Sequence, residues 1–133
     1  KPIINDIKSK ENVFFLGEVS PSKVSEIRDN TDILLIPSMR EGLPNICMEG
    51  MCAAKAIIAS DTGGIPEIVK NGSTGLLVEP GNENKLLEAM KLLASDEQLT
   101  ARLQKNAEDF AKENLDGANY GQKVFDFYFS AAE

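Results

Sequence analysis

The sequence predicts an α/β fold in which a doubly wound parallel sheet is flanked by helices. Four short apolar runs recur about every 20 residues: VFFL (13–16), ILLI (33–36), AIIA (56–59) and GLLV (75–78). Each run is continuous rather than alternating, which is typical of strands that are covered on both faces. Helix-like patterns separate the runs, and this alternation indicates parallel strands joined by right-handed crossovers.

Three helices are predicted between the strands. Ser20 is suited to cap a helix whose first residue is Pro21, a position where proline sacrifices no hydrogen bond. A second helix is predicted over 44–54 (PNICMEGMCAA), and a short third helix is predicted over 64–72 (GIPEIVKNG). The Asn-Gly pair at 71–72 is expected to end the third helix.

Beyond the last strand the sequence predicts helices only. Apolar residues form three stripes at helical spacing, a pattern that is typical of core faces rather than of a cofactor site. The stripes are Leu86, Leu87, Met90 and Leu93; Leu99, Leu103, Ala107 and Phe110; and Tyr120, Val124, Phe127 and Tyr128.

The N-terminal residues indicate a helix whose beginning is missing. Ile3, Ile4 and Ile7 have helical spacing, but neither a capping residue nor a strand precedes them. The simplest interpretation is that this helix, and a first strand of the sheet before it, begin upstream of Lys1. We therefore expect residues 1–133 to form one domain of a longer protein, with its first strand missing.

The composition excludes several kinds of partner. The chain carries a net charge of −7 and no cluster of Lys and Arg, so nucleic acid and anionic membranes are poor partners. No apolar stretch approaches the roughly 20 residues of a membrane span. The absence of histidine argues against zinc and removes the commonest general base. Cys47 and Cys52 are expected to be free, buried thiols of a cytoplasmic protein.

Segment 33–49, ILLIPSMREGLPNICME, predicts a ligand site. A strand ends at Ile36, a loop follows, and a helix is expected with Pro44 at its first position. In open parallel sheets, ligands bind at the carboxyl ends of the strands. The helix start would present unpaired amides at the positive end of its dipole, a site for an anion, on Asn45, Ile46 and Cys47.

Two glutamates flank this helix start. Glu41 lies in the loop, and Glu49 lies five residues beyond Pro44, about 7 Å along the axis at 1.5 Å per residue. A carboxylate repels phosphate but accepts hydrogen bonds from pairs of hydroxyl groups. A diphosphate site between two carboxylates fits a nucleotide-diphosphate sugar, and Gly42 would let it approach the backbone. The same spacing also fits a solvated loop acid and a surface helix acid without a ligand.

The sequence segments around these residues resemble a known motif. PSMREGLPNICMEGM (37–51) and IIASDTGGIPEIVKNGSTGLLVEPGN (57–82) are similar to the C-terminal domain of GT-B fold glycosyltransferases, in the large retaining family 4, or group 1. The likeness runs from about Asn12 to Leu93. It implies a Rossmann-like sheet that forms the C-terminal half of a GT-B fold and binds the nucleotide-sugar donor.

The resemblance implies roles for individual residues. Glu41 matches the glutamate that contacts hydroxyls of the donor sugar, and we take it as the catalytic residue. Glu49 matches the glutamate that holds the ribose diol. The other expected binding residues are Gly42, Leu43, Pro44, Asn45 and Ile46 along the sugar and diphosphate, Ser38 and Arg40 in the motif loop, and Gly17, Glu18 and Val19 beside the base.

The chain departs from the family pattern near the helix. Gly50 replaces the usual alanine and is expected to weaken the helix by about 1 kcal/mol relative to Ala. Ala54-Lys55-Ala56 stands where the family has Gly-x-Pro. Thr62-Gly63-Gly64, after the third apolar run, either lines the cleft or simply turns the chain.

The implied activity is the transfer of a hexosyl group from a UDP- or GDP-sugar to an acceptor hydroxyl, with retention at the anomeric carbon. The leaving diphosphate would help to deprotonate the acceptor, so stabilising the leaving charge is the main requirement. No cofactor or metal is expected, and the chain has no Asp-x-Asp pair for a divalent ion.

The resemblance also implies what lies outside this chain. The family's Arg and Lys that grip the diphosphate would precede Lys1. The acceptor, a glycan or a lipid-linked sugar, would bind an N-terminal domain. We therefore expect the chain alone to bind donor weakly and to turn over nothing. We expect a cytoplasmic protein, and any contact with the inner membrane face would be made by the other domain.

Three alternatives stay open. Another GT-B enzyme, such as a nucleotide-sugar epimerase, shares the fold but not the paired glutamates. A phospho-receiver signalling domain needs an acidic cluster at the strand ends and a lysine ending a later strand, and Asp61 alone does not supply these. A degenerate, non-catalytic binding domain is not expected to keep both glutamates.

Overall fold

The computed structural model describes residues 12–115, and the chain forms two compact units, one up to Asn30 and one from Thr31 onward. The described part of the first unit contains one helix, α1 (Pro21–Asp29). The Ser20 hydroxyl caps it by accepting a hydrogen bond from the amide of Lys23 at 3.4 Å. The predicted start of this helix is confirmed. The predicted stripes at 3–7 and 120–128 lie outside the described residues.

The predicted strand at 13–16 is wrong. These residues lie outside helix and strand, and their exposed fractions range from 41% for Val13 to 80% for Phe14. A β-favouring run becomes a strand only where a neighbouring strand supplies the inter-strand hydrogen bonds. The described part of this unit, residues 12–30, contains no strand.

The described part of the second unit, residues 31–115, contains three parallel strands, β1 (Ile33–Ile36), β2 (Ala56–Ser60) and β3 (Leu76–Val78), in the order β1-β2-β3. Ile33 lies opposite Ala56, and Ile58 lies opposite Leu76. Because the strands are parallel, their carboxyl ends meet at one edge of the sheet. These three predicted strands are confirmed, with shifts of one residue at two of their ends.

Up to residue 115, four helices accompany the sheet: α2 (Asn45–Cys52), α3 (Ile65–Ile68), α4 (Glu83–Ser95) and α5 (Glu97–Asn114). Side chains of β2 alternate between two cores. Ile57 and Ala59 belong to a core that includes residues of α2, α3 and α5, while Ala56 and Ile58 belong to one that includes residues of α4 and α5. Helices therefore cover both faces of β2, which confirms the predicted α/β fold. No helix within residues 12–115 is both long and apolar enough to span a bilayer.

The predicted end of the third helix is wrong. α3 stops at Ile68, because Val69 adopts an extended backbone and is fully buried. The Thr74 hydroxyl then fixes the chain that follows: it accepts from the amide of Lys70 at 2.8 Å and donates to the carbonyl of Ile68 at 3.2 Å. The segment from Val69 therefore turns toward β3 instead of continuing the helix.

The predicted stripe on α4 is partly wrong. Leu93 is buried and Leu86 is half-buried, but Leu87 and Met90 are 48% and 37% exposed. Ala89 takes the inward position instead. The helix carries apolar residues on several faces, so their spacing alone does not identify the buried one. The stripe on α5 is confirmed, since Leu103 and Ala107 are buried and Leu99 and Phe110 pack against the cores.

The end of α2 places a non-glycine residue in the left-handed region. The amide of Lys55 donates to the carbonyl of Gly50 at 2.9 Å, and the amide of Ala54 donates to the carbonyl of Met51 at 3.0 Å. These are the two hydrogen bonds of a Schellman motif, whose C′ residue is usually glycine. Here Ala54 occupies that position with φ 53°. Ala54 occupies the position at which the family that the sequence resembles has glycine.

Gly50 is buried where α2 packs on the sheet. A Cβ at this position would lie 2.7 Å from Leu34 Cδ2 and 3.6 Å from Ile57 Cδ1. Helix propensity alone predicts that glycine weakens the helix here. The structure adds that the missing side chain gives Leu34 its place beneath the helix.

We expect Ala54→Gly to raise the free energy of unfolding by about 1 kcal/mol, because a left-handed conformation disfavours a Cβ by roughly 1–2 kcal/mol. Urea unfolding followed by circular dichroism measures the change. Ala53→Gly, one residue earlier at φ −88°, is the matched control and should lower stability. Equal changes in the two variants would contradict this interpretation.

The two cysteines differ in exposure. Both are free, but Cys47 is fully buried and Cys52 is exposed. The expectation of buried thiols is therefore confirmed for Cys47 and wrong for Cys52, which lies in the last turn of α2. Burial raises the pKa of the Cys47 thiol from 9.0 to about 11. The neutral thiol thus contributes stability below about pH 9 that is lost as the pH rises toward 11.

We expect Cys47 to be inert in the folded protein, because the reactive thiolate is disfavoured and the sulfur is inaccessible. In a Cys52→Ser variant at pH 8, an aromatic disulfide reagent that releases a coloured thiolate should label Cys47 no faster than the protein unfolds. The absorbance of the released thiolate measures the rate. In the matched Cys47→Ser variant, Cys52 should react at the rate of an exposed thiol. Fast labelling of both variants without urea would show that Cys47 is accessible.

Candidate functional site

The loop between β1 and α2, residues 37–44, carries the predicted site. It leaves the carboxyl edge of the sheet, and all of its residues are exposed or half-buried. A cavity of about 210 Å³ opens at the same edge, and its lining includes Pro37 after β1, Ser60 at the end of β2 and Glu79 after β3. The loop therefore lies where parallel sheets bind ligands.

The start of α2 differs by one residue from the prediction. Pro44 is the N-cap residue with an extended backbone, and Asn45 is the first helical residue. The amide of Cys47 donates to the carbonyl of Pro44 at 3.0 Å, so the prediction that this amide is unpaired is wrong. The amides of Asn45 and Ile46 make no hydrogen bond with any residue of 12–115. Two backbone donors, not three, are thus available to an anion.

The Ser38 hydroxyl holds the side chain of Glu41. Both residues lie in the loop, and Ser38 Oγ donates to Glu41 Oε2 at 3.1 Å. Glu41 is otherwise exposed, so its carboxylate has acceptor positions left for a ligand's hydroxyl groups. The structure thus brings together two residues that the sequence assigned to the same site.

A second loop contacts the backbone of this one. The amide of Gly64, after β2, donates to the carbonyl of Gly42 at 2.7 Å. Gly63 has φ 56°, and a Cβ on it would lie 1.6 Å from the carbonyl oxygen of Glu41. Sequence reasoning missed this contact. Adjacent glycines after a strand signal a close approach of backbone, but they do not identify the partner.

The remaining loop and helix residues are accessible. Glu49 is exposed on α2, Arg40 and Leu43 are exposed, and Gly42 has no atom within 4 Å of the position of a Cβ. Arg40 forms no salt bridge among the described residues. Gly17, Glu18 and Val19 belong to the first unit, and their contact with a base stays a prediction.

Comparison with known proteins identifies the family. The model of the family described as "Glycosyl transferases group 1" matches residues 2–110 of the chain. The chain belongs to the group 1 glycosyl transferases.

Two curated relatives of this group 1 chain are glycosyltransferases. An uncharacterized glycosyltransferase of Methanocaldococcus jannaschii is 36% identical over 101 residues, which cover 76% of this chain and 29% of the relative. The N,N'-diacetylbacillosaminyl-diphospho-undecaprenol alpha-1,3-N-acetylgalactosaminyltransferase of Campylobacter jejuni is 38% identical over 95 residues, covering 71% and 25%. The chain thus spans only about a quarter of the length of these relatives.

Solved structures of Anabaena HepE are also similar to this group 1 chain. They hold HepE in complex with UDP and with UDP-glucose, and each is 25% identical to this chain. The TM-scores are 0.84 and 0.82, and in both cases the match covers 96% of this chain and 35% of HepE. Membership of the group 1 family favours neither the epimerase nor the signalling alternative.

Proposed function

We propose that this chain is the C-terminal, donor-binding domain of a retaining family 4 glycosyltransferase with the GT-B fold. The whole enzyme would transfer a hexosyl group from a nucleotide-diphosphate sugar to an acceptor hydroxyl. The observation that carries the proposal is the start of α2, where two amides without a partner in residues 12–115 lie in sequence between Glu41 and Glu49. The likeness to HepE bound to UDP-glucose supports a UDP-sugar as donor.

The diphosphate would bind at the amides of Asn45 and Ile46. These donors lie at the positive end of the α2 dipole, and no side chain of the described residues caps the helix. Arg40 is exposed in the preceding loop and is the nearest cation in the sequence. Because the amide of Cys47 is bonded to Pro44, the phosphate oxygens would be held by the first two helical amides.

The two carboxylates would bind the two rings of the donor. Glu49, exposed on α2, would accept hydrogen bonds from the ribose diol. Glu41, held by Ser38, would accept them from hydroxyls of the sugar that is transferred. Glu41 is the catalytic residue in this proposal, because the ring that it contacts carries the reacting carbon.

The chemistry would depend on stabilising the leaving diphosphate. In a retaining front-face displacement, the bond from the anomeric carbon to the diphosphate breaks and the acceptor oxygen bonds to the same face. The leaving phosphate oxygen takes the acceptor's proton, so no separate base is needed. Preorganised amides at a helix start suit this role. No metal is required in this proposal. The acceptor would bind another domain of the enzyme, outside this chain, and the enzyme would be cytoplasmic.

We expect Glu49→Gln and Glu41→Gln to weaken binding differently, which two-dimensional NMR titration of the chain with UDP and UDP-glucose measures. Glu49→Gln should weaken both ligands by about tenfold to a hundredfold, since it loses a charged hydrogen bond to the shared ribose. Glu41→Gln should weaken UDP-glucose by a similar factor and leave UDP unchanged. In the wild-type chain, the ligand should shift the amide signals of Asn45 and Ile46.

The matched control is Glu97→Gln, which removes one exposed negative charge at the start of α5. It should alter neither affinity beyond the small effect of net charge. Unchanged affinities in both site variants would remove the site assignment. Titrations with GDP- and ADP-glucose on the same chain would identify the preferred base.

We expect the affinity for UDP-glucose to be independent of divalent metal, because amides and Arg40 supply the positive charge. Titrations with EDTA and with millimolar magnesium chloride should give the same dissociation constant within about twofold. Binding that is lost with EDTA and restored by magnesium would contradict the metal-independent part of the proposal.

A further inference from the structure

We propose that the turn formed by Thr62, Gly63 and Gly64 is a positioning element for Glu41. In this inference, which rests on the proposed function of Glu41, the turn fixes the backbone of Glu41 and thereby the place that its carboxylate reaches. The turn would act through Glu41 and would not contact the donor itself. Two independent contacts and the anchoring of the turn carry the inference.

The first contact is a hydrogen bond between the two loops. The amide of Gly64 donates to the carbonyl of Gly42, with 2.7 Å between nitrogen and oxygen. This bond occupies the one backbone donor of Gly64, so that amide does not serve a ligand. Its effect is to hold the peptide group between Gly42 and Leu43, one residue beyond Glu41.

The second contact is steric. A Cβ on Gly63 would lie 1.6 Å from the carbonyl oxygen of Glu41, 2.7 Å from its carbonyl carbon and 2.9 Å from the carbonyl oxygen of Gly42. These obstacles are backbone atoms, which have no rotamer to change. Any side chain at Gly63 would therefore displace either the turn or the peptide between Glu41 and Gly42. The close approach of the turn to the Glu41 backbone therefore requires that residue 63 have no side chain.

The turn is anchored by a buried residue at each end. The amide of Thr62 donates to the carbonyl of Ser60 at 2.9 Å, and Ser60 is 2% exposed at the end of β2. On the other side, Ile65 opens α3 and is fully buried. Four residues separate the buried Ser60 and Ile65, whereas ten residues separate the buried Ile36 and Cys47 that flank the Glu41 loop. The turn is thus the more tightly tethered of the two segments.

The test compares Gly63→Ala with Gly72→Ala in NMR titrations with UDP and UDP-glucose. Both glycines have positive φ, 56° and 74°, but a Cβ at Gly72 would meet nothing within 4 Å. Both substitutions therefore carry the same kind of backbone penalty, and only Gly63→Ala presses on Glu41. We expect Gly63→Ala to weaken UDP-glucose by about tenfold while UDP stays within about threefold. Gly72→Ala should change neither affinity.

Four further measurements separate positioning of Glu41 from a general loss of structure. In the unliganded chain, Gly63→Ala should shift the amide signals of Glu41 and Gly42 and speed hydrogen exchange at Gly64, whereas Gly72→Ala should not. The two changes, Gly63→Ala and Glu41→Gln, should remove the same interaction with the sugar. The double variant should therefore bind UDP-glucose no more weakly than whichever single variant has the lower affinity. Gly64→Ala, whose Cβ would lie 3.1 Å from the carbonyl oxygen of Gly42, should give a smaller loss confined to UDP-glucose.

If Gly63→Ala does not fold, Gly64→Ala becomes the deciding variant. Wild-type affinity for UDP-glucose in Gly64→Ala would then overturn the positioning role. Wild-type affinity for UDP-glucose in a folded Gly63→Ala chain, or equal weakening of UDP and UDP-glucose, would overturn the positioning role. Failure of the wild-type chain to bind UDP-glucose even at millimolar ligand, where NMR detects weak binding, would overturn the proposed function instead. In that case, unchanged Glu41 signals and Gly64 exchange in Gly63→Ala would still show that the turn does not fix the loop.

Discussion

The second unit depends on the burial of β2 on both faces. Its apolar side chains, Ala56, Ile57, Ile58 and Ala59, are fully buried and point alternately into two cores. Burying an isoleucine side chain contributes roughly 1.5–3 kcal/mol. Because successive side chains face opposite ways, a slip of one residue would send each of them into the wrong core. The register of the sheet, and the edge at which its strands end, follow from this burial.

That constraint extends to the candidate site through two loops. At the end of β2, the amide of Asp61 donates to the carbonyl of Val78 at 2.8 Å, which ties the strand end to β3. The turn at 62–64 starts from this fixed point and meets the backbone at 41–42. The loop that carries Glu41 is exposed, yet it rests on a segment whose own position is set by a buried strand. The backbone of an exposed binding loop can therefore be fixed by its contact with a second loop, without burial of the binding loop itself.

The sequence predicts those elements whose signals are local. Continuous apolar runs identify β1, β2 and β3, and the Ser-Pro pair identifies the start of α1. It fails where the outcome depends on a distant partner. The run at 13–16 has the composition of a strand but no neighbouring strand in the described part of its unit. In α4, Ala89 is buried and Leu87 exposed, because the facing cores, not hydrophobicity alone, select the inward face.

The candidate site shows the same division between local and distant signals. The motif locates the loop, the helix start and both glutamates, and Ser38 and Glu41 are close enough in sequence for their pairing to be reasonable in advance. The support from Gly63 and Gly64 comes from residues more than twenty positions further along the chain. Two glycines are compatible with any tight turn, and their partner is defined only by the packing of β1 beside β2.

The start of α2 differs from those of the other long helices in a way that burial does not explain. Ser20, Asn82 and Asp96 each accept a hydrogen bond from an amide in the first turn of α1, α4 and α5. Such a cap contributes about 1 kcal/mol. Pro44 has no side chain that can do this, and no other side chain within residues 12–115 caps α2. A ligand that brings its own acceptors would satisfy the same donors, and the resulting stabilisation would then appear as affinity for the ligand instead of as stability of the free protein.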